Sequence, residues 1–185
     1  MSTLVKVRET IADLYREKGK AELINGEIVR FMSTGIKPSR ASSNIYLSLR
    51  LHEGRNSQGL AAPDNAGFVV NLPRRESFSP DAAWYVGEIP EDEMNFFPAA
   101  PVFAAEVRSK GDYGRAAERE MSDKRRDYFA AGTLIVWDVD LLSDEVIKSY
   151  RHDAPDTPVI FRRGDVAEAE PAVPGWRMAV DELFR

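Results

Sequence analysis

Asp81, Glu106 and Lys124 stand in an order of acid, acid and base that could do chemistry at a phosphate. Two carboxylates on neighbouring strands can share one hard cation, because such ions prefer oxygen ligands. An ammonium beside them can stabilise charge developing on a phosphoryl group. Asp81 opens the apolar run Asp81-Ala-Ala-Trp-Tyr-Val86, and Glu106 nearly closes Pro101-Val-Phe-Ala-Ala-Glu-Val107. Both runs are continuous, apolar and bounded by Pro, Gly or polar residues, which predicts short buried strands. Together these features suit metal-dependent hydrolysis of a phosphodiester.

Lys124 belongs to the strongest helical pattern, Arg115 to Ala131, with Gly132 placed to stop it. Ala117, Met121, Tyr128 and Ala131 mark one face, and Lys124 falls on the same stripe. A lysine turned inward there needs an anionic partner or a route to solvent. Each candidate also has a plainer reading. Asp81 after Pro80 suits a turn, and Glu106 could pair with Arg108 or Lys110. Glu22 could be a further acid of the site or a solvent-facing strand residue. Arg108, Arg115 and Arg119 are candidate phosphate contacts. Arg125 and Arg126 lie off the stripe and read as a solvated face, although Arg126 could also reach a phosphate. His52 and His152 have no partner at ligand spacing, which argues against zinc. No Gly-rich phosphate loop, Gly-x-Ser-x-Gly elbow or His-Glu-x-x-His helix is present.

The elements that must position these residues follow from periodicity and turn chemistry. Leu4, Val7, Ile11, Leu14 and Tyr15 predict a helix over 3–18. Asn25-Gly26 predicts a hairpin over 22–31. Residues 33–38 read as a loop. Ile45, Leu47, Leu49 and Leu51 predict a buried helix from Ser39 to about Glu53. Two short strands are expected between Gly59 and Leu72, then a polar turn at Arg74-Arg75-Glu76. Residues 87–100 read as an acidic surface loop. After the 115–131 helix, strands are expected at 134–139, 145–150 and 158–162. The segment 174–184 offers Trp176, Met178, Val180 and Leu183 for docking. The order predicts an α/β fold, a mixed sheet flanked by helices with an N-terminal helix and hairpin, as a single domain over 1–185.

The chain has 185 residues, 43% of them hydrophobic and 30% charged, a composition that suits one globular domain with a core. No apolar run approaches the roughly 20 residues of a membrane span. The N-terminus lacks a signal-peptide pattern. No Cys is present, which excludes disulfides and thiolate zinc and fits the cytoplasm. The net charge of −5 argues against a broadly basic nucleic-acid binder but allows a local basic face.

Several strings carry a family resemblance: Glu22-Leu-Ile-Asn-Gly-Glu27, Ser79-Pro-Asp81, Ala105-Glu-Val-Arg-Ser109, Lys124-x-x-x-Tyr128-x-x-Ala-Gly132 and Val136-Trp-Asp-Val139. In order and spacing, over about residues 20–151, they resemble the Uma-two family of putative restriction endonucleases, within the PD-(D/E)-x-K nuclease superfamily. The resemblance implies a restriction-endonuclease-like core and a Mg²⁺- or Mn²⁺-dependent endonuclease acting on DNA. Asp81 and Glu106 would hold the metal, with the Val107 carbonyl as a further ligand, and Lys124 would be the active-site lysine. A homodimer is the expected assembly, since many nucleases of this fold pair. The alternative is a non-catalytic nucleic-acid-binding or regulatory module on the same fold. Two departures stand out. The strand reads Glu106-Val107-Arg108, without the fold's usual strand lysine, and Ile36-Lys-Pro-Ser-Arg40 lacks a His found in relatives.

Overall fold

The computed structural model describes residues 8–55 and 58–185. From the N-terminus the elements are α1 (Ile11–Leu14), β1 (Ala21–Ile24), β2 (Glu27–Arg30), α2 (Ile36–Glu53), β3 (Leu60–Ala62), β4 (Phe68–Leu72), β5 (Arg75–Phe78) and β6 (Ala82–Tyr85). Then follow β7 (Phe103–Val107), α3 (Arg115–Ala130), β8 (Ile135–Val139), β9 (Ile147–Arg151), β10 (Ala154–Phe161), β11 (Val166–Glu168), β12 (Arg177–Ala179) and a 3-10 helix, Val180–Phe184. The central sheet has six strands in the order β10-β9-β8-β7-β6-β3. Within this sheet β7 and β8 pair in parallel, and α3 makes the crossover that a parallel pair requires. The other pairs in this sheet are antiparallel.

Alternation along the strands sorts the core into two layers. Trp84, Phe103, Ala105, Ile135 and Trp137 pack with Ile45 and Leu49 of α2 and with Trp176 and Met178 near the C-terminus. Ala83, Tyr85, Ala104 and Val136 face the other way, against Tyr128 and Phe129 of α3 and Phe68 and Phe78 of the β4–β5 pair. With both faces covered, the inner strands read as continuous apolar runs. By the same alternation Asp81, Glu106, Arg108 and Asp138 belong to the face that α3 covers.

The structure departs from the sequence expectations at several elements. The helix expected over 3–18 contracts to the single turn Ile11–Leu14, while positions 3–7 lie outside the described residues. A Thr10–Asp13 capping box fixes its start, and Gly19 at φ 107° turns the chain into β1. Helix α2 starts at Ile36, inside the expected loop. Pro38 falls in its first turn, where a missing N–H leaves no intrahelical bond unmade. Of its predicted apolar positions, Ile45 and Leu49 are buried, whereas Leu47 and Leu51 are exposed. Arg75 is not in a turn but opens β5 and is buried, because carboxylates from two other elements meet its charge. The β11–β12 ladder was not expected. Trp176, Met178, Val180 and Leu183 are buried, so the expected docking segment is seated. Among the described residues no helix is long and apolar enough to cross a membrane.

Candidate active site

Strand register places three acids in one row. Ala82 pairs with Ala105 in the antiparallel β6–β7 ladder, so Asp81, one residue before Ala82, lies opposite Glu106. Glu106 in turn pairs with Asp138 across the parallel β7–β8 ladder. Like charges directly opposite on a sheet destabilise it. Each acid in the row is therefore met by its own cation, from a different element.

Asp138 is taken by Arg108. Its guanidinium donates Nε to Oδ1 and Nη2 to Oδ2, both at 2.7 Å, and also reaches Glu118 at the start of α3. This bidentate pair is buried. Arg108 is thus a structural clamp, and its assignment as a phosphate contact is corrected. The same clamp explains the missing strand lysine: the residue two after Glu106 is committed to Asp138.

Glu106 is met by Lys124. The ammonium lies 2.8 Å from Glu106 Oε1 and 2.9 Å from Glu22 Oε1. One turn further along α3, the Tyr128 hydroxyl donates to Glu106 Oε1 at 2.6 Å. Both donors bind Oε1, so Oε2 has no hydrogen-bond partner among the described residues. Burial pushes the Glu106 carboxyl above its ordinary pKa, and the neighbouring Asp81 and Glu22 charges add to that, against Lys124 and Lys20. Burial pulls the Lys124 ammonium down, but Glu106 and Glu22 outweigh it, and its pKa is raised. Lys124 therefore keeps its proton and is a fixed cation, not a base waiting to accept. Burial and the Glu106 charge raise the Tyr128 hydroxyl well above its ordinary value, so it remains a donor.

Glu22 is not a solvent-facing strand residue. It is fully buried and gathers the site's back wall. Its carboxylate accepts from the Ser79 amide at 2.9 Å and from Arg75 Nη1 at 2.5 Å, beside the Lys124 contact. Arg75 Nε also donates to Asp127 of α3 at 2.8 Å. Burial alone would raise the Glu22 pKa, but Lys124 and Arg75 overcome it and hold it below the ordinary 4.5. A depressed carboxylate stabilises the native state above its unfolded pKa, and that contribution is lost as pH falls through the folded value. The urea midpoint should therefore drop as pH falls below about 4.5, with a shallower drop for Glu22→Gln. Parallel profiles for the two proteins would show that Glu22 ionisation is not linked to folding.

Asp81 is met by Lys20. Lys20 Nζ lies 2.5 Å from Asp81 Oδ1 and 2.7 Å from Asp64 Oδ1, and the Val107 amide donates to Asp81 Oδ2 at 2.7 Å. Sequence reasoning missed Lys20 and Arg75. A signal existed for Lys20: two residues before Glu22, strand alternation puts it on the same face. Arg115 and Arg119 are exposed on the first turns of α3 and contact none of the site carboxylates. Arg126 pairs with Asp123, and Arg125 stacks on Tyr150 at 3.6 Å.

The donor set suits a hard divalent cation. Five carboxylates (Glu22, Asp64, Asp81, Glu106, Asp127) share three cations (Lys20, Arg75, Lys124), so the formal charge is −5 + 3 = −2. Among the described residues no three His, Cys, Asp or Glu residues cluster as a ready metal cage. The fit rests on the opposed pair Asp81 and Glu106, on the unpartnered Oε2 and on the excess negative charge.

The Uma2 family, described as putative restriction endonuclease, matches residues 8–181 of this chain. The fold is similar to the crystal structure of a putative nuclease belonging to DUF820 from Anabaena variabilis ATCC 29413, with a TM-score of 0.72. That match has 16% identity and covers 95% of this chain and 97% of the other. No curated protein matches the chain.

Proposed function

The chain belongs to the Uma2 family of putative restriction endonucleases, and from that premise we propose a metal-dependent endonuclease that hydrolyses DNA phosphodiester bonds. The observation that carries this reading is the Asp81–Glu106 pair, opposed across β6 and β7 with the Lys124 ammonium on the same carboxylate. Asp81 and Glu106 would hold Mg²⁺ or Mn²⁺, with Val107 beside them. The ion would supply an activated water and neutralise the leaving oxygen.

The remaining work falls to the chain's own groups. Lys124, kept protonated between Glu22 and Glu106, faces a scissile phosphate with a fixed positive charge and needs no reorganisation as the reaction proceeds. Tyr128 and Lys124 together fix Glu106 Oε1, which orients the carboxylate. Arg75 and the Ser79 amide hold Glu22, and Glu22 in turn holds Lys124. Arg115 and Arg119, exposed and outside this network, are the basic residues of α3 available to a flanking phosphate.

The testing experiment is cleavage of single- and double-stranded DNA in Mg²⁺, Mn²⁺ or Ca²⁺, with Asp81→Asn as control. Cleavage in Mg²⁺ or Mn²⁺ that the variant lacks is the expected result. By calorimetry, Asp81→Asn should bind Mn²⁺ at least about 10-fold more weakly; unchanged affinity would remove Asp81 from the site. An unmodified protein that binds the ion and cleaves no nucleic acid would instead be a binding module.

A further inference from the structure

We propose that Lys20 is an internal stand-in for the metal, holding Asp81 in the ion-free protein and withdrawing to Asp64 when a divalent ion enters. The inference rests on the metal-dependent reading above. It begins with a fork: one ammonium lies between two carboxylates of different exposure. Asp81 is 18% exposed and faces Glu106, whereas Asp64 is 43% exposed and lies at the rim. A lysine on a four-carbon stem can pivot between two such acceptors, as a point charge needs no fixed orientation.

Charge assigns the same partner. With Lys20 on Asp64, Arg75 on Asp127 and Lys124 on Glu22, three pairs are each neutral. Two carboxylates remain, Asp81 and Glu106, and their combined charge is that of one divalent ion. With Lys20 on Asp81 instead, the ion would meet a single free carboxylate and a repelling ammonium. The other two cations are less able to leave. Arg75 is gripped from both sides by Glu22 and Asp127, and Lys124 bridges Glu22 and Glu106 from within α3. Lys20, by contrast, lies outside the regular elements, between Gly19 and the start of β1, and its side chain is 20% exposed.

The stand-in makes metal affinity a competition, and the competition can be read without any cleavage. The probe is Mn²⁺ alone, titrated calorimetrically into the DNA-free protein. Lys20→Met should bind about 10-fold more tightly, a coupling of ordinary size. Asp64→Asn should bind more weakly, since Lys20 then has only Asp81 to hold. Electrostatics alone would give the same two signs, so the double variant decides. If Asp64 acts through Lys20, adding Asp64→Asn to Lys20→Met changes nothing further. Additive effects in the double variant would overturn the proposal, as would equal affinity of Lys20→Met and the unmodified protein. In that last case Mn²⁺ binding itself leaves the metal-dependent reading standing. If neither protein binds Mn²⁺, both fall. Thermal unfolding of each variant checks that it is folded, and the partly exposed Asp64→Asn remains readable if Lys20→Met is not.

Discussion

Lys124→Ala should slow single-turnover cleavage by on the order of 100-fold or more while most of the DNA affinity survives. The expectation rests on where the ammonium sits. It lies 2.8 Å from Glu106, the acid opposite Asp81, and its proton is held by that partly buried carboxylate and by the fully buried Glu22. In the proposed role such a charge would stabilise the transition state more than the bound substrate, because it would face the charge that develops on phosphorus. A mere phosphate contact would behave differently. Affinity would then fall, and the salt dependence of binding would lose about one unit of slope. Lys124→Arg should rescue poorly, since a planar guanidinium does not fit a slot shaped for one nitrogen between Glu22 and Glu106. Binding in Ca²⁺ and cleavage in Mg²⁺ or Mn²⁺, measured on the same preparations, separate the two roles. Equal loss of affinity and rate would demote Lys124 to a backbone contact.

Arg75→Met should cost on the order of 3 kcal/mol of stability, the largest effect expected of a single substitution near the site. Its guanidinium is buried and joins Glu22 on β1 to Asp127 on α3. Removal strands part of the charge on Glu22, which has no exposure to solvent. Lys124 and the Ser79 amide remain on Glu22, so the loss falls short of abandoning a lone buried ion. The urea midpoint is the measurement. Adding Glu22→Gln should recover part of the loss, because the stranded charge is then gone. A midpoint within experimental scatter of the unmodified protein would show that the triad contributes nothing to folding.

The strand-borne part of the site was legible in the sequence, and the convergence of charges was not. Asp81 and Glu106 announced themselves at the edges of apolar runs, and the runs fixed both the strands and the face. Lys124 was legible because it interrupts an apolar helical stripe. Glu22 was visible as an acid, but its burial was not, since that depends on Arg75 arriving from β5. Arg75 itself was hidden by local chemistry. Pro73-Arg74-Arg75-Glu76 has turn composition, and only a long-range ion pair turns the third of these residues into the start of a strand. Lys20 beside Gly19 drew no reading, because its partners Asp81 and Asp64 come from distant segments. Local propensity reports local energies, and buried ion pairs between distant segments override it. Helix α1 failed in the opposite sense: the apolar spacing promised several turns, but the cap at Thr10 and the positive-φ Gly19 confine the segment.

Carrying the proposed active-site cation on a helix rather than on the strand beside its acid ties the candidate site to rotational phase. A residue two along a strand from Glu106 keeps its side of the sheet however the next segment drifts. Lys124 does not have that protection. One residue inserted within α3 ahead of it turns the side chain by about 100° around the axis, away from Glu22 and Glu106 and toward the solvent-facing arginines. The Arg108–Glu118 contact pins the first turn of α3 to the end of β7, so the helix cannot rotate back to compensate. Length variation should therefore be tolerated in the acidic loop between β6 and β7, and rejected along the nine residues from Arg115 to Asp123. For such a protein, the spacing between the helix start and its lysine constrains the site as strictly as the residues themselves.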